Sequence, residues 1–495
     1  MLFTLSTYDD KTVSYSATPM GELIKHNKQI LLILGITLVF RLLASQLTEP
    51  YILLQQDSDE YSNFDKNIFL GQVDVARTPV YPLFIMFVRW ISFSSDPYVP
   101  VVVAQEIISL ISLVFMYKIV RRYTSDAKLI YVLTLVYALQ PTIWHWNKCI
   151  LTESLSISFG VMFAWLLIRH LDKPKTWSAI VISTGGFLAV MLRPALLSLF
   201  AVITVSWVVR FILSNPDRKQ SIIGLGTSLF FIALLFGYVK LNHYQNGLKD
   251  ISTVSTANQI MNLIDADIYE NLEYPDIVDS LTSSKYWDDR KDTQFLLGWM
   301  PIDKKFGFDF HPEYVKSYVH DTIKLHSKDY VQYMGRKFKK SIYNPVPSIV
   351  YMSTPANFWD DIISNKFDYN TFQKWLQEQY DDSTNLIAIV FLTILALFVP
   401  FSLVYIYTLC VLIYAIIRWC KGQLDWVDMG FSLVIISALI TNTLGGPMEH
   451  LSRLFQPTLP FLFILVYKHI AEGRFRWVKM RWLTSRLEKC FQGQD

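Results

Sequence analysis

Long apolar runs, separated by short polar and basic segments, alternate along most of the chain. A helix needs about 20 apolar residues to cross a bilayer, because the hydrocarbon core is about 30 Å thick. We expect about ten spans on this criterion. Their windows are 29–47, 99–120, 127–143, 150–168, 177–192, 195–213, 222–241, 386–417, 426–444 and 455–470. The pattern predicts a polytopic α-helical protein that is integral to the membrane and multi-pass.

The positions of Lys and Arg predict how these spans are oriented, since cytoplasmic loops carry an excess of basic residues. Basic residues cluster near both ends of the chain and in alternate loops, namely in 1–28, 121–128, 169–175, 210–219 and 471–495. If all of these are cytoplasmic, 1–28 is a cytoplasmic N-terminus and 471–495 is a basic cytoplasmic tail. No signal-peptide core precedes the first window, so we expect that window to be retained as an anchor.

Two apolar stretches do not fit this alternation as simple spans. Counting 78–93 as a span would reverse the charge of every later loop, so we expect a half-membrane or surface helix that starts at Pro79. The stretch 386–417 is too long for one span and slightly short for two. The charge alternation requires an odd number of crossings there, and Pro400 offers a kink.

The orientation places two polar regions on the outer side. The first outward loop, 48–78, interrupts an N-terminal transmembrane module, 29–242. The second region, 243–385, precedes a C-terminal transmembrane module, 386–470. It contains 21 acidic and 15 basic residues, whereas the rest of the chain is net positive. Helical periodicity around 312–340 predicts a mixed, mainly helical extracytoplasmic domain.

Composition supports this class and excludes others. Of the 495 residues, 52% are hydrophobic and 18% are charged, against about a quarter charged in soluble domains. Four cysteines exclude a disulfide scaffold, and a net charge of +3 gives no reason to expect a nucleic-acid partner. Zinc spacings, Walker motifs and dinucleotide glycine motifs are absent from the sequence, and no cytoplasmic segment is long enough to bind a nucleotide. Any donor is therefore a lipid, an ion gradient or an extracytoplasmic molecule.

The first outward loop carries three carboxylates in four residues, Asp57, Asp59 and Glu60, followed by Tyr61. A solvated acidic turn is the simpler interpretation, by about two to one. Alternatively, a carboxylate held in a cleft can serve as a general base. Further along, Tyr81 stands between two prolines at the start of the expected surface helix.

The second outward loop holds His145, Lys148 and Glu153 among tryptophans. Glu153 stands at the start of an apolar helix, where a capping role is the simpler interpretation. Lys148 and His145 are close enough in sequence to neutralise it. Trp, His, Lys and Glu at one membrane face also suit a site for a sugar and a phosphate, although an aromatic belt explains the tryptophans equally well.

Two arginines stand at the expected outer ends of spans, Arg193 and Arg453. Snorkelling to the interface is the default for such residues. A guanidinium that faces inward would instead be a good phosphate clamp. Arg453 follows Glu449 and His450 beside a Gly-Gly step, and this density of unlike polar groups favours a site over a bare loop.

The order of these motifs resembles the GT-C membrane glycosyltransferases. The resemblance rests on the acidic first loop, Thr78-Pro79-Val80-Tyr81-Pro82, Leu151-Thr152-Glu153, Arg193-Pro194 and the late Arg453, Pro457 and Pro460. Within that family the chain is most similar to enzymes that use polyprenyl-phosphate sugars, such as protein O-mannosyltransferases and the lipid A aminoarabinose transferase. The resemblance implies a GT-C-like transmembrane bundle with an extracytoplasmic domain.

The resemblance also implies roles for the candidate residues. Asp57 and Tyr61 match an Asp-x-x-x-Tyr pattern whose aspartate is catalytic, and Glu153 matches a second acidic position. Asp59 and Glu60 are the alternative catalytic or metal carboxylates. The groups expected to bind the donor phosphate are Arg193, Arg453 and Lys148. The groups expected to contact substrate are Tyr61, Tyr81, His145, Glu449 and His450.

The expected function is inverting transfer of a sugar from a polyprenyl-phosphate donor to a hydroxyl on a glycan, lipid or protein. It would occur at the outer face of a bacterial plasma membrane, with the lipid bilayer as the protein's environment. No resident metal or other cofactor is required for a monophosphate donor, although the clustered carboxylates leave a divalent cation open. Two alternatives remain, a flippase for lipid-linked glycans and a polysaccharide polymerase or ligase. The second would use histidines of the outward domain, for which the candidates are His311, His320 and His326.

Overall fold

The computed structural model describes residues 20–47, 52, 56–64, 66, 70–92, 94, 96–213, 218–288, 290, 294–302, 311–343, 401–445 and 456–473. These residues form helices and no β-strand. The helices of the first half are α1 (Met20–Leu47), α2 (Gln56–Ser62), α3 (Val80–Ile91), α4 (Val99–Tyr123), α5 (Ala127–Leu139), α6 (Pro141–Trp144), α7 (Thr152–Asp172), α8 (Thr176–Leu192), α9 (Leu197–Leu213) and α10 (Arg218–Asn246). Those of the second half are α11 (Val254–Asp265), α12 (Pro275–Thr282), α13 (Gln294–Trp299), α14 (Pro312–Leu325), α15 (Ser327–Tyr343), α16 (Phe401–Cys420), α17 (Trp426–Gly445) and α18 (Leu459–Ala471).

Five of the described helices are long and apolar enough to cross a membrane. They are α4, α7, α9 with the 3₁₀ turn before it, α10 and α17. Shorter apolar helices, among them α5, α8 and α18, pack beside these five. The protein is therefore a helical, membrane-embedded protein, in agreement with the hydropathy pattern.

Local sequence signals set the ends of several helices. The helix expected to begin at Pro79 is present, because α3 starts at Val80 with Pro79 as its N-cap residue. Its 12 residues span about 18 Å at 1.5 Å per residue, which is too short to cross the hydrocarbon core. Helix α5 ends at Leu139, short of the expected limit at 143, since Gln140 is extended before Pro141. Of the 386–417 stretch, residues 386–400, including Pro400, lie outside the described residues.

Helix α18, most of whose residues are buried, packs against three of the five long helices. Helix α18 contacts α4, α7 and α17, while α8 packs against α9 and α10. Two glycines allow a close approach at α8, because a Cβ at Gly185 would meet Phe163 at 2.9 Å and one at Gly186 would meet Phe200 at 2.7 Å. Small residues serve this purpose at many helix contacts in membranes.

Helices α11 to α15 form a small unit with its own apolar core, which includes Ile260, Leu263, Ile277, Val315 and Tyr318. The helical patterning predicted around 312–340 is confirmed by α14 and α15. We call residues 248–343 the outward unit, after the side on which the charge pattern places it.

The outward unit is joined to the loop that precedes α3. The Thr253 amide donates to the Val75 carbonyl at 2.9 Å, and the Gln245 side chain bonds the backbone of both Gly71 and Val73. The Thr253 bond joins the 71–77 segment to the unit, and the Gln245 bonds join it to the last turn of α10.

Candidate functional site around Tyr61

The acidic residues of the first loop lie in a short helix, α2. Asp57, Glu60 and Tyr61 are three and four residues apart, which places them on one helical face. Tyr61 is buried and Asp57 and Glu60 are half-buried, whereas Asp59 is exposed. The solvated acidic turn is therefore not what forms, and burial distinguishes Asp57 and Glu60 from Asp59.

Arg77 is the ion-pair partner of this face. Its Nη2 lies 2.7 Å from Oδ1 of Asp57, and its Nε lies 2.7 Å from Oε2 of Glu60. The guanidinium is 7% exposed. Burial lowers the pKa of Arg77, but the charges of Asp57, Tyr61 and Glu60 outweigh burial and raise that pKa well above its usual value. Arg77 therefore carries a fixed positive charge between two carboxylates.

The backbone before Arg77 and two aromatic rings fix the position of its side chain. Asp74 Oδ1 accepts from the amides of Ala76 and Arg77 at 2.8 and 2.6 Å, which makes an Asx turn. The guanidinium carbon lies 4.8 Å from the ring centre of Tyr61 and 5.8 Å from that of Trp299. Cation–π contacts of this kind favour the charged form and restrict its orientation. Since Trp299 ends α13, the outward unit contributes to the site.

A second carboxylate–guanidinium pair lies at the junction of α7 and α8. Arg193 is the C-cap residue of α8, and its Nη1 lies 2.9 Å from Oε1 of Glu153 in the first turn of α7. Glu153 is fully buried and Arg193 is 8% exposed. Arg193 therefore turns into the protein rather than snorkelling to the surface. Sequence proximity did not predict Arg193 as a partner of Glu153.

Tyr61 connects the two pairs. Burial raises the pKa of Tyr61, the charges of Asp57 and Glu153 add to that rise, and those of Arg77 and Arg193 oppose it. All four charged groups are therefore within electrostatic range of one phenol. The ring of Tyr61 also packs edge-on against Tyr81, with 5.0 Å between centres. The predicted residues Asp57, Tyr61, Tyr81, Glu153 and Arg193 thus belong to a single site.

The second outward loop forms a buried wall beside the site. Gln105 accepts from the Tyr81 hydroxyl at 2.8 Å and donates to the carbonyls of Asn147 and Cys149, both at 2.9 Å. Ser154 donates to the Asn147 side chain at 2.7 Å. These bonds hold the loop between α6 and α7 against α3 and α4.

Lys148 and His145 belong to this wall. Burial lowers the pKa of Lys148 to about 8, against the raising effect of Cys149 and Glu106. Burial and the charge of Lys148 lower the pKa of His145 to about 3. His145 is therefore neutral at physiological pH and suits a hydrogen-bonding role, while Lys148 is the cation of the pair.

Several residues of the site carry no role in the sequence-based prediction. Arg41 pairs with Glu106 at 2.7 Å, and Glu106 accepts from the Asn147 amide. An ionisable residue inside an apolar window is a signal for a functional position, and it would have identified Arg41 and Glu106. Arg77 stands directly before the Thr78-Pro79 step, but nothing local marks it as the partner of Asp57. Trp299 has no sequence signal that links it to the first loop.

The other predicted residues are either outside the described part of the chain or bonded elsewhere. Glu449, His450 and Arg453 lie outside the described residues. The histidines of the polymerase alternative make contacts within the outward unit or at its border. His311 caps α14, His320 pairs with Asp321, and His326 bonds the Glu270 carbonyl.

The charged side chains of the site are buried or half-buried, and ion pairs fix the positions of four of them. Two buried guanidiniums and Lys148 can bind an anion, and Asp57 and Glu153 can accept a proton or a hydrogen bond. Within the described part of the chain, no group of three or more His, Cys, Asp or Glu side chains could hold a metal ion. Asp57 and Glu60, the carboxylates nearest to such a role, both face Arg77.

Comparison of the chain with protein-family models, with curated proteins and with solved structures found no match. The side chains around Tyr61 are therefore the basis for assigning a function.

Proposed function

We propose that the protein is a membrane glycosyltransferase of the GT-C type that uses a polyprenyl-phosphate sugar as donor. The observation that supports this most is the convergence of the Asp57–Arg77 and Glu153–Arg193 pairs on the buried Tyr61. A reaction that takes a proton from a hydroxyl and releases a phosphate needs a base and cations in one water-poor pocket.

Asp57 acts as the general base. It removes the proton from an acceptor hydroxyl as that oxygen attacks the anomeric carbon from the face opposite the phosphate. The bond between the anomeric carbon and the phosphate oxygen breaks, and its electron pair leaves with polyprenyl phosphate. A single displacement of this kind inverts the anomeric configuration. The inward face of α2 presents Asp57 rather than Asp59 for this role.

Arg193 and Lys148 bind the donor phosphate and stabilise the charge that develops on it. Arg193 is held by Glu153 before the donor arrives, so its direction is set in advance. Arg77 acts through Asp57 as a positioning residue, because its guanidinium donates to both Asp57 and Glu60 and so holds the two carboxylates in place. Glu153 orients Arg193 and offers an acceptor for a sugar or acceptor hydroxyl.

The surrounding elements exclude water, which would otherwise compete as the acceptor. The ring of Trp299 covers Arg77 from the side of the outward unit. Helix α3 presents Tyr81, Ile85 and Val88 inward while Phe87 and Trp90 are exposed. Such an amphipathic helix lies at a membrane interface, next to the place where a lipid-linked donor would enter.

The decisive experiment measures donor turnover in liposomes. Purified protein is given a polyprenyl-phosphate sugar labelled in the sugar, together with a glycolipid, an oligosaccharide or a serine peptide as acceptor. We expect polyprenyl phosphate to be released, and Asp57→Asn to reduce this rate by about 10²-fold or more. The matched control is Asp59→Asn, which removes an exposed carboxylate two residues away and leaves the rate near that of the wild type.

Three results would contradict the proposal in different ways. An active Asp57→Asn variant with an inactive Asp59→Asn variant would show that the base is misassigned. Release of a polyprenyl diphosphate from a diphosphate donor would favour the polymerase or ligase alternative. Movement of an intact lipid-linked glycan across the bilayer, without cleavage, would favour the flippase.

A further inference from the structure

An apolar cavity lies at the end of the helices opposite the Tyr61 site. It has a volume of about 70 Å³ and lies between α7, α8, α9 and α17. Its apolar lining includes Leu167, Leu171, Val202, Ile203, Phe431 and Val434. Arg193 precedes α9 and Arg210 lies in its last turn, so the Arg210 end of the cavity is about 25 Å from Arg193 at 1.5 Å per residue.

One end of the cavity is polar and positively charged. Arg210 lines it and is 4% exposed, with its guanidinium carbon 5.6 Å from the ring centre of Trp426. Ser206 lies one turn before Arg210 and also lines the cavity. Lys173 and Lys175 are exposed in the loop that follows Leu171. The charge pattern of the sequence places this end at the cytoplasmic face.

The cavity is partly open, and its half-buried lining residues lie on membrane helices. Leu167, Leu171, Val202 and Gly430 are of this kind, and they stand on α7, α9 and α17. Exposed apolar residues flank them, such as Val205 on α9 and Leu433 on α17. The opening therefore faces the surroundings of the apolar spans, which are lipid.

We propose that this cavity binds an anionic phospholipid of the membrane. A segment of one acyl chain occupies the apolar part, and the phosphate contacts the guanidinium of Arg210. Size supports a chain segment rather than a bulky group, since an apolar cavity of about 150 Å³ holds a benzene ring and this one has about half that volume. Charge supports an anionic headgroup over a neutral one, since Arg210 and the exposed lysines lie at the same end.

Gly430 allows the cavity to be filled without distorting the backbone. It lines the cavity, and a Cβ added there meets no atom within 4 Å. Gly430→Leu therefore places a side chain in the space that the acyl chain would occupy. Gly226 on α10 is the matched control, because it is exposed, helical and equally open to a Cβ but does not line the cavity.

The test measures the thermal unfolding midpoint of delipidated protein in a neutral detergent. Phosphatidylglycerol or phosphatidylcholine with the same acyl chains is added at increasing concentration. A lipid that binds the folded state raises the midpoint with its concentration. We expect phosphatidylglycerol to raise it by several degrees more than phosphatidylcholine, in the wild type and in Gly226→Leu. Gly430→Leu should abolish the difference.

Arg210 variants test the headgroup separately from the cavity. Arg210→Gln should bring the phosphatidylglycerol response down to that of phosphatidylcholine, and Arg210→Lys should retain part of the difference. Equal responses of the wild type to both lipids would overturn the proposal, as would an unchanged response in Gly430→Leu. If either variant fails to fold, the other still tests the proposal. Gly430→Leu removes the space for the acyl chain, and Arg210→Gln removes the contact with the phosphate. The readout is stability, so it is independent of the proposed transferase activity.

Discussion

At the scale of single residues, burial decides which charges are available at the site. Asp57 and Glu60 are turned inward and face Arg77, while Asp59 on the same helix is exposed. Lys148 is buried deeply enough to bring its pKa to about 8, close to physiological pH. The two cations assigned to the donor phosphate therefore differ, since an arginine stays charged at any working pH and Lys148 does not.

Lys148 predicts a loss of donor binding at alkaline pH. Below about pH 8 its ammonium is protonated and attracts the phosphate, and above that pH it becomes neutral. We expect kcat/KM for the donor to fall as the pH rises through 8 toward 9.5. Lys148→Arg should move this alkaline limb beyond the measured range. If kcat/KM of Lys148→Arg still falls above pH 8, the titration of another group causes that fall.

Arg77 predicts a dependence on the shape of the cation as well as on its charge. The planar guanidinium of Arg77 donates hydrogen bonds to Asp57 and Glu60 at the same time, and a lysine ammonium does not have this geometry. We expect Arg77→Lys to lower kcat by about 10-fold and Arg77→Gln by more, with the donor KM less affected. Arg77→Gln should also move the acid limb of the pH profile to higher pH, because a carboxylate ionises less readily without the neighbouring charge. A purely structural role would lower the amount of folded enzyme and leave the profile in place.

At the scale of elements, buried ion pairs connect helices that are distant in sequence. Asp428 at the start of α17 is fully buried and accepts from Lys468 at 2.5 Å and from His469 at 3.2 Å. His469 also contacts the Tyr407 hydroxyl of α16 at 2.7 Å. One carboxylate thus joins α17 to α18, and through His469 to α16.

Asp428→Asn should strongly destabilise the C-terminal helices. The amide cannot replace the carboxylate charge, so the buried Lys468 keeps only Asp425 as an ionic partner. Complete loss of the partner of a buried charge costs about 3–5 kcal/mol, which is the upper limit for this variant. We expect a thermal midpoint lowered by several degrees or more in detergent. Asp425→Asn is the control, because Asp425 also contacts Lys468 but is 18% exposed. Equal effects of the two variants would argue against a special role for the buried carboxylate.

At the scale of the whole molecule, the outward unit contacts both the segment before α3 and the helices α16 and α17. It holds the 71–77 segment and supplies Trp299 to the site, and its last helix, α15, packs on α16 and α17. Lys337 lies on α15, fully buried, with its Nζ donating to Asn262 of α11 at 2.8 Å. Burial lowers the pKa of Lys337 to about 7, against the raising effect of Asp265.

Lys337 predicts that the protein is less stable at lower pH within a defined window. Between about pH 7 and 10.5 the unfolded chain holds a proton on this lysine and the folded protein does not, so stability falls as the pH falls through that window. Below about pH 7 both states hold the proton and this contribution levels off. We expect Lys337→Met to remove the slope, measured as the thermal midpoint from pH 6.5 to 9.5. If Lys337→Met keeps the full pH dependence of the thermal midpoint, a different group causes that dependence.

Most apolar windows agree with the described helices to within about five residues, because hydropathy and proline are local properties. Helix α1 is an exception, since it begins at Met20, well before the window that starts at 29. Pro79 starts α3 and Gln140-Pro141 ends α5, each through the dihedral limits of one residue. The candidate site was predicted in part. Asp57, Tyr61, Tyr81, Glu153 and Arg193 were identified, whereas Arg77 received no role and the pairing of Glu153 with Arg193 was not expected.

The sequence by itself determined that the chain is helical and membrane-embedded, since that depends on how many apolar residues follow one another. Only the tertiary structure decided which charges meet. Asp57 and Arg77 are 20 residues apart, Glu153 and Arg193 are 40 apart, and Trp299 comes from a different unit. Such pairs form because burying a charge costs free energy unless an oppositely charged group lies beside it in the folded protein. No periodicity along the chain encodes that choice.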